Sequence, residues 1–411
     1  MKRVFALLLA LLTVLLVSCG ASKQEKKPSE AGRSDVTASG AANYVPAQTE
    51  PPKEIVHKKI TFAAAGDNII YQAGFTDAKN RADGGREYDF RPNYDHIRSM
   101  IESADLAFVN QETLMAGADY GYSDYPHFNS PQQLLYDLDE VGFDIVSMAN
   151  NHMLDMGTSG IEDCIAFYKG YDGVQMIGGY ESEEDFYTPR VVECDGIKIA
   201  FVAFTYATNG LSLKEGSDVY IPYIDDEAIE KSIALAKEQA DLVFVSCHWG
   251  IENDFDPSDD QKHTAQLIAD CGADVIIGHH PHVIQPVEWL DGKDGNKTLC
   301  IYSLGDFMAV MMRASNMLGA IVTFDIAQDG DEFSIQNPVF NPTVFHFGPS
   351  YYKGQIYFLS DFTSDLASTF GNVYNITADY DDLCRIVTET VDEEFLPDYL
   401  KTADTAETTE E

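Results

Sequence analysis

The chain is poor in positive charge. Its 411 residues carry 27 Lys and Arg against 67 Asp and Glu, a formal net charge of −40. So acidic a surface repels phosphate backbones and anionic headgroups, which argues against nucleic acid or anionic lipid as a direct partner. A polyanionic substrate is repelled too unless cations intervene. Cysteine is sparse, seven in all, and no Cys-x-x-Cys pair occurs. Disulfides are permitted by the even count outside Cys19, but nothing in the spacing demands them. Cys247 and Cys300 sit inside apolar strand-like runs and read as small hydrophobes. No internal repeat is present. The apolar run near the N-terminus, Val4 to Val17, is short for a membrane span and suits the h-region of a signal peptide.

What is there begins with that leader. Lys2 and Arg3 form a basic n-region, and the run ends Leu16-Val17-Ser18-Cys19-Gly20. This resembles the lipobox of bacterial lipoproteins, which implies cleavage after residue 18 and lipidation of Cys19, with palmitate among the acyl groups. An ordinary signal peptide with an incidental cysteine is the alternative. Ala21 to Pro52 mixes Ser, Ala, Gly, Pro, Lys and Glu without periodicity, as a flexible tether does. The expected organisation is a signal peptide over 1–18 and a lipidated Cys and linker over 19–57. A folded domain over 58–345 and an acidic extension over 346–411 complete it, with Thr402 to Glu411 disordered. The expected address is the outer face of the cell membrane.

Within the domain, apolar runs alternate with amphipathic ones, the pattern of an α/β fold. Polar groups come directly after the strands: Gly66-Asp67 after Lys59–Ala65, Asn110-Gln111-Glu112 after Asp105–Val109, and Asn150-Asn151-His152 after Gly142–Met148. Cys247-His248-Trp249-Gly250-Ile251-Glu252 succeeds Leu242–Ser246, and Gly278-His279-His280-Pro281-His282 succeeds Asp274–Ile277. Asp67 alone reads equally well as a turn former, and His127 as an ordinary loop histidine. Three imidazoles in four positions are harder to explain by packing, because buried imidazoles need partners and repel once protonated. A divalent cation meets that need. In His280-Pro281-His282 an extended chain would put both rings on one side. Asp155 is spaced to orient His152. The strands' carboxyl ends share one edge in a mostly parallel sheet, so Asp67, Glu112, Asn151, His248, His280 and His282 are expected to meet in one cleft. Asn93–Ser103, Thr158–Tyr168, Asp225–Ala240 and Asp259–Asp270 read as helices, with Ser130 placed to cap a helix opened by Pro131. Asp195-Gly196 reads as a hairpin turn, and Val283–Leu290 and Thr298–Ser303 as strands of a second sheet.

These motifs, with Ser303-Leu304-Gly305-Asp306-Phe307, resemble the ordered motifs of the CapA-type capsule-synthesis family, associated with poly-γ-glutamate synthesis and export. The match covers roughly residues 58 to 345. The family is itself similar to calcineurin-like metallophosphoesterases, which implies a two-sheet α/β sandwich with a dimetal centre. Carried over, the resemblance makes Asp67, Glu112, Asn151, His248, His280 and His282 metal ligands and His152, with Asp155, the proton donor. Asn110, Glu252, His279 and Asp306 would support the ligands or touch substrate. Two departures stand out: Ile69 occupies the position of an imidazole ligand, and Glu112 stands where a bridging Asp is usual. Asp306 replaces the more common Asn and Gln111 the more common Leu. The expectation is a metal-dependent hydrolase or transferase using manganese, zinc or iron, partnered by the membrane and by a polymer or its synthase. The rival expectation is a non-enzymatic accessory protein with a degenerate metal site that binds the polymer or the synthase. A surface protein whose polar cluster is purely structural is the third.

Overall fold

The computed structural model describes residues 57–311, 313–348, 352–369 and 379–401. The leader, Cys19, the tether and residues 402–411 lie outside them. Among the described residues, no helix is long and apolar enough to cross a membrane. Two sheets organise the fold. The first is built on β1 (His57–Asn68), with β2 (Leu106–Gln111), β3 (Ile145–Ser147) and β4 (Gln175–Ile177) laid in parallel on one side. The second comprises β5 (Arg190–Cys194), β6 (Ile197–Thr205), β7 (Leu242–His248), β8 (Val275–His279), β9 (Val287–Asp291) and β10 (Lys297–Ile301), in the order β5-β6-β7-β8-β10-β9. The chain then returns to the first sheet. There β11 (Asp306–Met308) lies parallel to the end of β1, and β12 (Leu318–Asp329), β13 (Glu332–His346) and β14 (Gln355–Phe358) extend its other side antiparallel.

Strand side chains alternate between two apolar layers, and this dictates the stacking. On β6, Ile199, Phe201 and Ala203 face the first sheet, whereas Ala200, Val202 and Phe204 face the helices Asp226–Lys237 and Asp259–Asp270. Between the sheets, Phe62 of β1 meets Phe244 of β7 at 5.1 Å and Phe201 of β6 at 6.2 Å between ring centroids. Each such ring contributes about 1.5–3 kcal/mol by leaving water. Every residue of β2, β3 and β7 is buried, as in strands covered on both faces. The helices Gln133–Val141 and Gly157–Lys169 cover the outer face of the first sheet with Leu134, Leu138, Ile161, Ile165 and Tyr168.

The sequence reading and the structure diverge at definite points. The expected helix Asn93–Ser103 is split into a 3-10 turn, Arg91–Tyr94, and a short helix, Arg98–Ser103. Tyr94 is driven into the core, where its hydroxyl donates to Asn68 Oδ1 at 3.0 Å. Ser130 caps no helix: its hydroxyl meets Thr113 at 2.8 Å and the helix starts at Gln133. Only the end of Val283–Leu290 is strand. The second sheet begins at β5 and already contains β7 and β8, so the candidate ligands come from the ends of two sheets rather than one. The boundary at residue 345 falls within β13, and the residues beyond it belong to the same unit: β14 pairs with β13, while Leu383, Val387, Phe395 and Leu396 pack into the common core. The Asp195-Gly196 turn has φ of 48° and 75°, as its strand-joining geometry requires. Cys164, Cys247, Cys271, Cys300 and Cys384 are free thiols.

Candidate metal centre

Close approach of backbones builds the rim. Gly66 interrupts the register between β1 and β2, and a Cβ there would lie 2.2 Å from Gly305 O. Asp67 N donates to Gly305 O at 2.9 Å, and Asp67 and Asp306 are register partners. On the second sheet, a Cβ on Gly278 would lie 2.0 Å from Tyr302 O. Only glycine lets these strand ends converge. Beyond Gly278, His280 and His282 both take positive φ, 97° and 56°, so the segment is kinked rather than extended. The loop is held open by Asn253 N donating to Pro281 O at 2.7 Å and by Asn316 Nδ2 donating to His282 O at 2.8 Å. Left-handed backbone at two histidines is strained, and such strain persists where the surroundings impose it. The two rings still end 5.7 Å apart.

Asp67, Glu112, Asn151, His248, His280 and His282 are all buried and adjacent. Three overlapping triples have donor atoms within 4.8 Å of one another: Asp67, Glu112 and His248; Asp67, His282 and Asp306; Glu252, His280 and His282. His248 Nε2 lies 2.8 Å from Asn151 Oδ1 and 4.0 Å from Glu112 Oε1. His282 Nδ1 lies 2.9 Å from Asp306 Oδ1 and 3.4 Å from Asp67 Oδ2, and its Nε2 lies 3.7 Å from Glu112 Oε1. Ligand atoms about 2.1 Å from one ion and at right angles sit about 3 Å apart, and opposite ligands about 4 Å apart. The spacing therefore suits a cation.

Electrostatics point the same way. Burial raises the Glu112 carboxyl well above its usual range, with Asp67 and Asp306 adding to the rise, and neither Oε atom has a hydrogen-bond partner. Burial pushes Asp306 up to about 7. Burial also acts on Asp67, but His279 and His282 outweigh it and hold that carboxyl well below the usual range. His282 is likewise buried, yet Glu112 and Asp306 outweigh burial and raise it well above the usual imidazole range, so an ion bound there would displace its proton. Burial lowers His248 well below the usual imidazole range and His280 to about 3, the neighbouring imidazoles adding to both. Both therefore present neutral nitrogens at pH 7, the form that binds metal. A buried carboxylate with no partner is costly unless it is protonated or meets a cation.

The supporting residues surround this group. Asn110 Nδ2 donates to Asp67 Oδ1 at 2.7 Å. His279 lies behind Asp67, its Nδ1 3.4 Å from Asp67 Oδ1 and its ring stacked on Phe108. It is buried there, against the Asp67 carboxylate. Glu252, by contrast, is exposed at the mouth. His152 Nδ1 lies 2.7 Å from Asp155 Oδ2, which also accepts from Phe128 N at 2.6 Å. His127, more than half exposed, stands 3.8 Å from Asp155 Oδ1 at the edge of this pair. Ile69 is packed in a small apolar cluster with Phe128 and Ala309.

Two neighbours escaped the sequence reading. Asn209 accepts from Asn151 Nδ2 at 3.2 Å and reaches to 3.4 Å from His152 Nδ1. Tyr206, 43% exposed, lies over His280 at 4.5 Å between ring centroids. Both come after the carboxyl end of β6, beside β7, so the rule that flagged the other strand ends would have flagged them.

Over residues 61–310 the chain matches the family model of the bacterial capsule synthesis protein PGA_cap. The chain belongs to this family. Among curated members, it is 30% identical over 288 residues to the capsule biosynthesis protein CapA of Bacillus anthracis, spanning 68% of this chain and 67% of that one. It is 31% identical over 206 residues to the PGA biosynthesis protein CapA of Bacillus subtilis (strain 168), spanning 50% of this chain and about half, 52%, of that protein. Similar solved structures include the calcineurin-like phosphoesterase YfkN of Bacillus subtilis, at 12% identity and a TM-score of 0.39 over 82% of this chain and 96% of that one. The two-sheet mixed α/β architecture of this chain rests on the strand order described above.

Proposed function

We propose that this protein works at the outer face of the cell membrane, anchored through Cys19, in the synthesis or export of a capsular or poly-γ-glutamate-like polymer. In this reading the cleft binds one or two divalent cations and performs metal-dependent hydrolysis or transfer. The observation that carries the metal is the meeting of Asp67, Glu112, Asn151, His248, His280 and His282 from two sheets around an unpartnered buried carboxylate. The family's name and its CapA members support the polymer. A bound ion would supply Lewis-acid activation of water and of the substrate's oxygen. The chain's own contribution is positional. Asp67, Glu112 and Asn151 offer oxygens, and His248, His280 and His282 offer nitrogens. His152, steadied by Asp155, gives a proton to the leaving group from the floor of the cleft. Phe128, edge-on to His152 at 4.8 Å, excludes water from one side of that imidazole.

One observation favours the second reading, a non-enzymatic accessory role: Ile69, which cannot ligate a metal, stands where the resemblance puts an imidazole. The test is elemental analysis of the purified protein together with turnover of phosphodiester and γ-glutamyl substrates. Bound metal and turnover, both lost in His280→Ala, support the enzyme. Bound metal with polymer binding that survives chelation, and no turnover, supports the accessory role. Retention of both metal and activity in His280→Ala removes the metal-centre reading.

A further inference from the structure

The donors do not form one uniform cage. On one side Asn151, His248 and His280 offer one amide oxygen and two imidazoles, and Glu112 lies between. On the other, Asp67 and Asp306 offer carboxylates beside one imidazole donor, His282, and Asp67 is shared, grouping also with Glu112 and His248. Asp306 is fully buried, has one oxygen 2.9 Å from His282 Nδ1, and has an Oδ2 atom with no partner. Its backbone has no freedom to withdraw. It is a register partner of Asp67, and a Cβ on Gly319 would lie 2.1 Å from Asp306 O, so β12 presses on it from behind. Ile69 is committed to its apolar cluster with Phe128 and Ala309.

Resting on the metal-centre reading above, we propose that Asp306 is itself a ligand, making the Asp67–Asp306–His282 half an oxygen-rich site for a hard, six-coordinate divalent cation such as Mn(II), distinct from the nitrogen-rich half at His248 and His280. Hard cations favour carboxylate oxygens, whereas imidazole-rich sets suit zinc and its neighbours. Two buried carboxylates offset a doubly charged ion, and a lone imidazole limits the competition from softer metals. The substitution that tests this is isosteric. Asp306→Asn keeps the side chain's size and one oxygen, but it removes the second carboxylate oxygen and the charge.

The full chain, purified in detergent and stripped with chelator, is titrated with Mn(II), with binding read from loss of the free-ion EPR signal. Zn(II) stoichiometry is measured separately by elemental analysis. The wild type is expected to bind Mn(II), and Asp306→Asn to bind it at least about tenfold more weakly while keeping one Zn(II). Anomalous scattering from Mn(II)-soaked crystals of the wild type is expected to place an Asp306 oxygen about 2.2 Å from the ion. Mn(II) affinity in Asp306→Asn equal to that of the wild type overturns the proposal, as does an ion separated from Asp306 by the His282 ring. Either result leaves Asp306 a positioning residue and the metal centre intact. A wild type that binds neither metal overturns the metal-centre reading itself, so the two failures are told apart.

Discussion

Glu112 concentrates the energetics of the cleft in one side chain. Both its oxygens are buried without partners, and burial keeps its proton on to well above the usual carboxylate range. A folded-state pKa raised above the unfolded one means stability is lost as pH rises toward the folded value. Glu112→Gln removes that loss. At pH 8 the metal-stripped variant should melt a few degrees above the stripped wild type, while the rise in melting temperature that added Mn(II) or Zn(II) gives the wild type should shrink or vanish. Differential scanning calorimetry with and without metal reads both. Asp155, unlike Glu112, has hydrogen-bond partners. It accepts from Phe128 N and meets His152 Nδ1, so Asp155→Ala strands two buried donors and should cost about 1–3 kcal/mol for each by denaturant titration. It belongs to none of the metal-competent triples, so metal stoichiometry should not change.

At the scale of elements, the strand ends matter because they are jammed together. Gly278→Ala would force a methyl group against Tyr302 O at the point where β8 delivers its histidines. A loss of more than about 4 kcal/mol in chemical denaturation is expected, the range of severe backbone clashes. At the other end of β8, Asp274 accepts from Val243 N at 2.8 Å, and burial pushes its carboxyl from the ordinary 3.8 to about 6. Its contribution to stability therefore falls as pH rises through that interval. Asp274→Asn should match the wild type near pH 4 and exceed it at pH 7, read as the difference between two denaturation midpoints. Much of this architecture was legible beforehand, because continuous apolar runs locate β7 and β8 to within two residues and helical spacing locates the helix Asp259–Asp270. What escaped was set by tertiary contacts that leave no local signal. The left-handed kink at His280 and His282 is imposed by Asn253 and Asn316, and the split of the helix near Tyr94 by a core hydroxyl pairing with Asn68. The assignment of the strand ends to two sheets depends on crossovers that no apolar period records.

At the scale of the whole molecule, the residues after 345 are structural. Leu383, Val387, Phe395 and Leu396 are buried in the common core, and each contributes about 1.5–3 kcal/mol by leaving water. A chain ending at residue 378 should melt well below one ending at residue 401, or fail to accumulate, as measured by calorimetry or protease resistance.

The pairing of β1 with β11 and β12 joins segments about 240 to 270 residues apart in the chain. While the polypeptide is being synthesised or threaded through a pore, Asp67 emerges long before Asp306 and the strand that backs it. A half-delivered chain thus has no complete cradle, and in the proposed metal-centre reading ion capture would be a finishing event of maturation, set by the free-metal pool that meets the last strands.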